Sequence, residues 1–158
     1  MELNLTGKVA FVSAASRGLG KAIATELSRE GANVVICSRD EEQIARTARD
    51  IEQETGHRVT PLTGDVSRQD DIQSFVEHIK QAHGKLDVLV CNAGGPPGGE
   101  FESFDDAAWQ SAFETNLLSV VRLVREALPL MKDRGGKILA VASSSVKVPI
   151  PGLILSNV

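Results

Sequence analysis

A glycine turn near the start of the sequence has the residue types of a phosphate-binding loop. The segment VAFVSAASRGLGKAI, residues 9 to 23, is an apolar run that reaches Gly18 and Gly20 and then continues in a helical pattern. Glycine lets the backbone approach a phosphate closely, and the free N–H groups at a helix start carry partial positive charge. A strand, a glycine turn and a helix start in this order predict a dinucleotide site.

Two arginines bear on which nucleotide this site would take. A carboxylate at the end of the second strand would bind a ribose 2′-hydroxyl and repel a 2′-phosphate. Ser38 and Arg39 stand there instead, and Arg17 lies in the glycine turn. Two guanidinium groups hold a phosphate by charge-assisted hydrogen bonds, so we expect NADP(H) in preference to NAD(H). The alternative is that Arg39 is a solvated loop charge.

A cluster of three hydroxyls is the second place where chemistry is expected. Ser143, Ser144 and Ser145 follow the last of the apolar runs. Such clusters also occur in ordinary turns, but here we expect Ser143 to face a substrate, with Ser144 as the alternate. Cys37 and Cys91 each end an apolar run, with no CxxC and no His at ligand spacing, so we expect buried thiols and no metal site.

The elements that must position these residues alternate in two periods. Five runs rich in Val and Ile are predicted strands: Val9–Val12, Asn33–Cys37, Arg58–Leu62, Leu86–Cys91 and Lys137–Ala142. Helical patterns separate them, and this alternation requires parallel pairing through right-handed crossovers. Strands that are apolar on both sides need helices on both faces of the sheet. We therefore predict an α/β, Rossmann-type doubly wound parallel sheet of order 3-2-1-4-5.

The helices are predicted from apolar residues at i, i+3, i+4 and i+7 spacing. The four faces are Leu19, Ala22, Ile23, Leu27; Ile44, Ala48, Ile51; Ile72, Phe75, Val76, Ile79; and Trp109, Phe113, Leu117, Val120, Val124, Leu128. Capping boxes are expected at Ser67 with Asp70 and at Ser103 with Asp106. Left-handed glycines are expected to follow the helices at Gly31, Gly56, Gly84 and Gly135. The loop of residues 94–99 follows the fourth strand and should border the ligand site, or else serve as a stiff connector.

Together these marks resemble the short-chain dehydrogenase/reductase family over essentially the whole chain. The turn from Ser13 to Gly20 is similar to the family's Thr-Gly-x-x-x-Gly-x-Gly, with Ala14 in place of its first glycine. If Ala14 takes a positive φ, its methyl group costs about 1 kcal/mol or more. The resemblance implies that the cofactor is bound by Ser13, Ala15, Ser16, Arg17, Gly18, Leu19, Gly20, Ser38, Arg39, Asp65, Val66, Asn92, Ala93 and Gly94.

The resemblance also implies hydride transfer between a nicotinamide and a small carbonyl or alcohol substrate, for which a 3-oxoacyl group is one candidate. Asn116 matches the family's helix Asn in the proton relay, and Ser143 matches its catalytic Ser. The family's Tyr would fall at Ser156, its Lys would fall beyond Val158, and the sequence has no Tyr. An aliphatic hydroxyl is a far weaker proton donor than a phenol. We expect an atypical oxidoreductase resembling 3-oxoacyl-carrier-protein reductases; the alternative is an NADP-binding protein that has lost catalysis.

Composition bounds the remaining questions. The 158 residues are 42% hydrophobic and 24% charged, which fits a single dinucleotide-binding domain over 1–158. The net charge of −4 gives no electrostatic footprint for nucleic acid, and no apolar run reaches membrane-spanning length. We expect a cytoplasmic protein. The resemblance implies a homo-oligomer packed through the helix from Trp109 to Met131, and a domain that lacks the family's C-terminal helices and strands. A third alternative is a structural fragment in which this helix serves mainly in subunit packing.

Overall fold

A five-stranded parallel sheet, with helices on both faces of its central strands and an exposed last strand at one edge, forms the core of the computed structural model, which describes residues 4–157. The strands are β1 (Val9–Val12), β2 (Asn33–Ser38), β3 (Val59–Thr63), β4 (Val88–Cys91) and β5 (Lys137–Ala140). The helices are α1 (Gly18–Arg29), α2 (Glu41–Thr55), α3 (Gln69–His83), α4 (Asp106–Phe113) and α5 (Ser119–Met131). The sheet order β3-β2-β1-β4-β5 confirms the predicted fold class. Residues 1–3 and 158 of the predicted domain lie outside the described residues.

Two separate hydrophobic clusters hold the sheet between its helices. Successive side chains of a strand point to opposite faces, so Val9 and Phe11 of β1 join one cluster while Ala10 and Val12 join the other. The first cluster contains residues of α3 and α5, and the second contains residues of α1 and α2. Burial on both faces explains why the central strands are continuous apolar runs. The candidate site begins where β1 and β4 end.

The glycines predicted to follow helix ends do so, whereas the capping boxes predicted at two helix starts are not formed. Gly56, Gly84 and Gly135 have φ values of 76°, 66° and 67° and end their helices in the left-handed region. The helix α3 begins after Arg68, not at Ser67 with Asp70, because Asp65 turns the chain by accepting from Ser67 N at 2.9 Å. Likewise α4 begins after Asp105, not at Ser103 with Asp106: the Asp105 carboxylate accepts from Ala108 N at 2.9 Å.

Strand ends and two helix faces also differ from the prediction. The strand β3 is shifted by one residue, β2 ends one residue later, β4 begins two later and β5 ends two earlier than predicted. On α1, Leu19 is 66% exposed and Ala22 is exposed, so the predicted core face holds only for Ile23 and Leu27. The faces predicted for α2 and α3 are buried as expected.

A π-helical turn explains the error on the fourth predicted helix. Residues Glu114–Leu118 form this turn between α4 and α5, with Ser119 N donating to Glu114 O five residues earlier. A π turn holds one residue more than an α turn, so it shifts the faces of the helix that follows. The predicted core residues Leu117 and Leu128 are therefore 48% and 45% exposed. Phe113, at the end of α4 before the turn, is 49% exposed. The buried face of α5 is instead Ser119, Leu123, Ala127 and Met131. Within residues 4–157, no helix has both the length and the apolar character needed to cross a bilayer.

One buried carboxylate ties the amino ends of β1 and β4 together. Asp87 accepts from Val9 N at 2.9 Å, pairs with Lys85 at 3.1 Å and with Lys8 at 3.5 Å, and its side chain is 11% exposed. Burial by itself would raise the pKa of Asp87, but the Val9 N–H and the two ammonium groups outweigh it and lower that pKa below its ordinary value of 3.8.

We expect Asp87→Asn to flatten the acid limb of the stability profile. Because the pKa of Asp87 is lower in the folded than in the unfolded chain, its stabilisation is complete above the unfolded pKa and is lost as pH falls through the folded one. Urea unfolding between about pH 2 and pH 6 measures this. Asp106→Asn, in the exposed first turn of α4, is the control. Identical acid limbs for wild type and Asp87→Asn would contradict the assignment.

Candidate functional site

A cavity of about 980 Å³ opens at the carboxyl ends of β1, β2, β3 and β4. Its walls are the segments that follow these strands, and α4 with the π-helical turn closes the remaining side. The strand order reverses at β1, with α1 and α2 on one face of the sheet and α3 and α5 on the other. In open α/β sheets the crevice at this reversal is where ligands bind.

Ten of the fourteen predicted cofactor-binding residues line this cavity. They are Ser16, Arg17, Leu19, Ser38, Arg39, Asp65, Val66, Asn92, Ala93 and Gly94. They come from four loops that are far apart in sequence and adjacent only because the strands are parallel and in register. The loop predicted to border the site contributes Gly94, Gly95, Pro96 and Pro97 to the lining.

The other four predicted residues are not in the lining but shape the turn; Ser13, Ala15 and Gly20 are buried, whereas Gly18 is exposed. Ser13 is buried, and its hydroxyl donates to Asn92 O at 2.6 Å. Ala15 is also buried, and its N–H donates to Cys37 O at 3.0 Å. Gly18 has a φ of 57°, which is left-handed. A Cβ on Gly20 would lie 2.6 Å from Ala14 O and 2.8 Å from Asn92 Nδ2, so only glycine fits there.

The Asn92 side chain joins the turn to the end of β4. Its Nδ2 donates to Ser13 O at 3.2 Å and to Ala14 O at 3.1 Å, while its backbone N–H donates to Ser13 Oγ at 2.9 Å. These bonds satisfy carbonyls that the turn would otherwise leave without partners. The glycine turn is thus held from β4 as well as from β1.

Ala14 takes the strained conformation that the sequence left open. Its φ is 49°, in the left-handed region that disfavours residues with a Cβ. The residue lines the cavity, so the strain lies in the loop that would face a phosphate. The carbonyl of Ala14 accepts from Asn92 Nδ2, which helps hold this conformation.

We expect Ala14→Gly to stabilise the fold by roughly 0.5–1 kcal/mol, because relief of the left-handed strain exceeds the added entropy of the unfolded chain. Thermal and urea unfolding measure the change. Ala15→Gly is the matched control: the neighbouring residue is fully buried and has no positive φ, so glycine there should destabilise. If both substitutions destabilise equally, Ala14 carries no strain.

Charge in the cavity favours an anion at one end. Arg39 is 79% exposed, and its Nη1 lies 3.8 Å from Asp65 Oδ2. An ion pair this long and this exposed contributes little, so the guanidinium stays available to a ligand. Arg17 is exposed and forms no ion pair or side-chain hydrogen bond with the described residues. Both guanidiniums line the cavity, as a phosphate site requires.

The start of α1 is also suited to an anion. The helices α2, α3 and α4 each carry acidic residues in their first turn, whereas α1 carries none and follows Arg17. No side chain caps α1, so no carboxylate or hydroxyl of the described chain occupies its first N–H groups. An anion bound there would be stabilised by those N–H groups and by the helix dipole.

The three predicted catalytic residues lie around one segment, just outside the cavity lining. Asn116, in the π-helical turn, donates from Nδ2 to Leu155 O at 3.4 Å. Ser143 Oγ accepts from Ser145 N at 3.1 Å, and Ser145 Oγ donates to Ser156 O at 3.3 Å. Residues 155 and 156 thus connect the helix and the serine cluster. Thr115, the residue before Asn116, lines the cavity.

Four lining residues on one helix face were missed by the sequence analysis. They are Ala108, Ser111, Ala112 and Thr115, which follow i, i+3, i+4 and i+7 spacing. The same spacing was used to find apolar faces, but small and hydroxyl side chains were not counted. Asp40, Gln43 and Gly64 also line the cavity, each close in sequence to a predicted residue.

Both cysteines are free and buried, as predicted. Burial raises the pKa of Cys37 to about 12 and the pKa of Cys91 to about 11. Both thiols are therefore protonated near neutral pH and are poor nucleophiles and metal ligands. Among the described residues, no group of three His, Cys, Asp or Glu side chains could hold a metal ion.

A parallel sheet of this order, with a crevice at the strand reversal, defines an α/β protein of the Rossmann type. Residues 8–155 match the family model described as short chain dehydrogenase, and the chain belongs to that family. It is 38% identical over 144 residues to ketoacyl reductase HetN of Nostoc sp., covering 90% of this chain and 50% of the relative. It is 33% identical over 156 residues to oxidoreductase YvrD of Bacillus subtilis, covering 98% and 58%.

Solved structures agree with this assignment. L-sorbose reductase from Gluconobacter frateurii, complexed with NADPH and L-sorbose, superposes with a TM-score of 0.95 at 32% identity, covering 99% of this chain and 60% of that one. Actinorhodin polyketide ketoreductase with NADPH gives a TM-score of 0.89 at 34% identity, covering 95% and 58%. A Burkholderia phymatum family member in complex with NAD gives 0.91 at 28% identity, covering 98% and 56%. The chain spans about half to three fifths of the length of these relatives.

Proposed function

We propose that this chain binds NADP(H) and that the protein it belongs to transfers hydride between the nicotinamide and a carbonyl or alcohol. The observation that carries the proposal is the cavity at the carboxyl ends of the central strands, lined by Arg17 and Arg39 beside an uncapped α1. Relatives solved with NADPH support it, since they share this fold at 32% and 34% identity. Relatives named as ketoacyl reductases make a ketone such as a 3-oxoacyl group the expected substrate class.

The residues present are suited to such a cofactor. The N–H groups of Gly18, Leu19 and Gly20 would hold the pyrophosphate, and Arg17 with Arg39 would hold the 2′-phosphate. Asp65 and Val66 would contact the adenine end, while residues 92–94 would border the nicotinamide end. When bound, the reduced cofactor supplies the hydride. The chain's own residues would position the substrate and its proton.

Proton handling would fall to Ser143, Asn116 and Ser156. A hydroxyl at Ser143 would donate to a substrate oxygen, and Asn116 would hold a relay through its amide. The carbonyls of residues 155 and 156 already accept hydrogen bonds from this neighbourhood. Ser156, at the family's Tyr position, is a poor acid at neutral pH because an aliphatic hydroxyl holds its proton more tightly than a phenol.

The second candidate is a protein that binds NADP without turning it over. Two observations favour it: the sequence has no Tyr, and Asn116, Ser143 and Ser156 are not among the residues that line the cavity. Fluorescence titration with NADPH, followed by NADPH oxidation with a panel of ketones, separates the candidates in the complete polypeptide. Binding with turnover supports the oxidoreductase, and saturable binding alone supports the second candidate. No binding of either coenzyme overturns both.

If turnover is found, we expect Ser143→Ala to lower kcat/KM by about tenfold, because one neutral hydrogen bond to the substrate oxygen is lost. The Kd for NADPH should not change. Ser144→Ala, the neighbouring hydroxyl, is the matched control, and a larger loss there would assign the substrate contact to Ser144. Unfolding midpoints of both variants check that the turn after β5 is intact, since Ser143 Oγ accepts from Ser145 N.

We also propose a cytoplasmic homo-oligomer. Apolar side chains along one side of α4 and α5 are left to solvent: Phe113, Leu117, Val121 and Leu128 are 45–49% exposed. A second copy of the chain would bury this stripe. Several exposed apolar residues side by side mark an interaction surface, whereas single scattered ones do not. The two free thiols suit a reducing compartment. Light scattering on wild type and Leu117→Glu measures the assembly, and a monomeric wild type would refute it.

A further inference from the structure

We infer that the chain carries a second ligand site, for a phosphate group, at the end of the sheet opposite the nucleotide cavity. A separate cavity of about 360 Å³ lies where the amino ends of β2 and β3 meet the carboxyl end of α3. Arg58, His78 and His83 line it, with the polar side chains of Asn33 and Thr60 beside them. Val34, which is 2% exposed, adds an apolar wall.

The charged and ionisable side chains that line this cavity are all basic. Arg58 is a permanent cation, and His78 and His83 become cations when protonated. Among the described residues that line the cavity there is no carboxylate. Such a one-sided arrangement stands out in a chain whose net charge is −4, with 21 acidic and 17 basic residues.

None of these three basic side chains has a hydrogen-bond or ion-pair partner within residues 4–157. No hydrogen bond or ion pair joins Arg58, His78 or His83 to another described side chain or carbonyl. Arg58 shares this lack of a partner with Arg17 of the nucleotide cavity, whereas Arg29 pairs with Glu26 and Glu54, and Arg122 pairs with Glu114. Arg58 and His78 are exposed and His83 is half-buried, so all three donors that line the cavity are available to an oxyanion.

The groups around His83 oppose its protonation until an anion is present. Burial lowers the pKa of His83, and the nearby positive charges of His78 and Lys85 lower it further. Lys85 is itself paired with Asp87 at 3.1 Å, and Arg58 enters the cavity from the start of β3. A bound dianion would act in the opposite direction and favour the protonated form of His83. Binding should therefore be stronger near pH 6 than near pH 8.

The size of the cavity limits the ligand. A volume of about 360 Å³ is at the small end for organic ligands and far below the nucleotide cavity. A free phosphate ion or a small phosphomonoester would fill it, with the organic part against Val34. Both sources present the same dianionic group to Arg58 and the two imidazoles, and the experiment distinguishes them.

The test follows the imidazole C2 proton signals by NMR in the complete polypeptide. Single His→Gln substitutions assign His57, His78 and His83. Inorganic phosphate is then added near pH 6.5 against chloride at equal ionic strength. We expect saturable shifts at His78 and His83 and no change at His57, which is exposed and outside the lining. Equal or non-saturating shifts at all three signals would overturn the site.

Two variants make the test specific. Arg58→Gln should weaken phosphate binding by at least about tenfold, because a charge-assisted hydrogen bond is lost. Arg49→Gln, at an exposed residue of α2 outside this cavity, should leave the affinity for phosphate unchanged. Equal effects of the two variants would overturn the assignment. Glycerol 3-phosphate as a second probe separates the sources: tighter binding than phosphate indicates a phosphomonoester site, and equal binding indicates a site for the free ion.

Discussion

We expect Arg39→Ala to weaken the binding of NADP⁺ by roughly 10- to 100-fold while the Kd for NAD⁺ stays nearly the same. A hydrogen bond between charged groups contributes about 1.5–3 kcal/mol, and 1.4 kcal/mol is tenfold in affinity. NAD⁺ has no 2′-phosphate and loses nothing when the guanidinium is removed. The fold should tolerate the change, because Arg39 is 79% exposed and its pairing with Asp65 spans 3.8 Å.

The chain offers a matched control for this substitution. Arg68 is 67% exposed and its Nε lies 3.8 Å from Asp71 Oδ2, a pairing of the same length at a residue outside the cavity lining. Arg68→Ala should leave both affinities unchanged. Isothermal titration with the two nucleotides at fixed salt gives the Kd values. An equal loss of NAD⁺ and NADP⁺ affinity in Arg39→Ala would mean that Arg39 does not contact the 2′-phosphate.

We expect Gly20→Ala to lower the free energy of unfolding by about 3 kcal/mol, combining overpacking with the loss of hydrogen bonds. The added Cβ would lie 2.6 Å from Ala14 O and 2.8 Å from Ala15 Cα, which are backbone atoms that cannot rotate away. It would also lie 2.8 Å from Asn92 Nδ2, the group that donates to Ser13 O and Ala14 O. Affinity for NADPH should fall as well, because the turn would change shape.

Gly95→Ala is the control for this change. Gly95 also lines the cavity, but an added Cβ would have no atom within 4 Å and its φ is not positive. Urea unfolding and NADPH titration on both variants measure stability and binding separately. A Gly20→Ala protein as stable as Gly95→Ala would show that the turn and β4 pack less tightly than these distances indicate.

The sheet order could be predicted because its causes are local. Alternating strand and helix patterns force parallel pairing, and glycines such as Gly56 and Gly84 mark where each helix must end. The faces of α4 and α5 could not be predicted in the same way. A π-helical turn at 114–118 leaves no composition signal, yet it turns Leu117 and Leu128 toward solvent. Apolar spacing therefore failed where the helix itself is irregular.

The candidate site shows a similar division. Spacing identified the residues of the glycine turn but could not separate Arg17, which lines the cavity, from Ser13, which is buried and holds the turn to Asn92. That distinction depends on contacts between residues almost eighty positions apart. The conformation of Ala14 was equally open, because its φ of 49° is imposed by the surrounding hydrogen bonds and not by alanine itself.

The pairing of β1 with β4 has a consequence for how the chain acquires its structure. Ala10 of β1 pairs with Val88 of β4, so β1 cannot be hydrogen-bonded on both of its edges until nearly eighty further residues have been synthesised. Contacts of such long sequence separation slow folding, because loop closure must precede the stabilising contact. In the interval β1 can pair only with β2, and its other edge is open to association with other chains. The nascent protein should therefore depend most on chaperones while α3 is emerging from the ribosome.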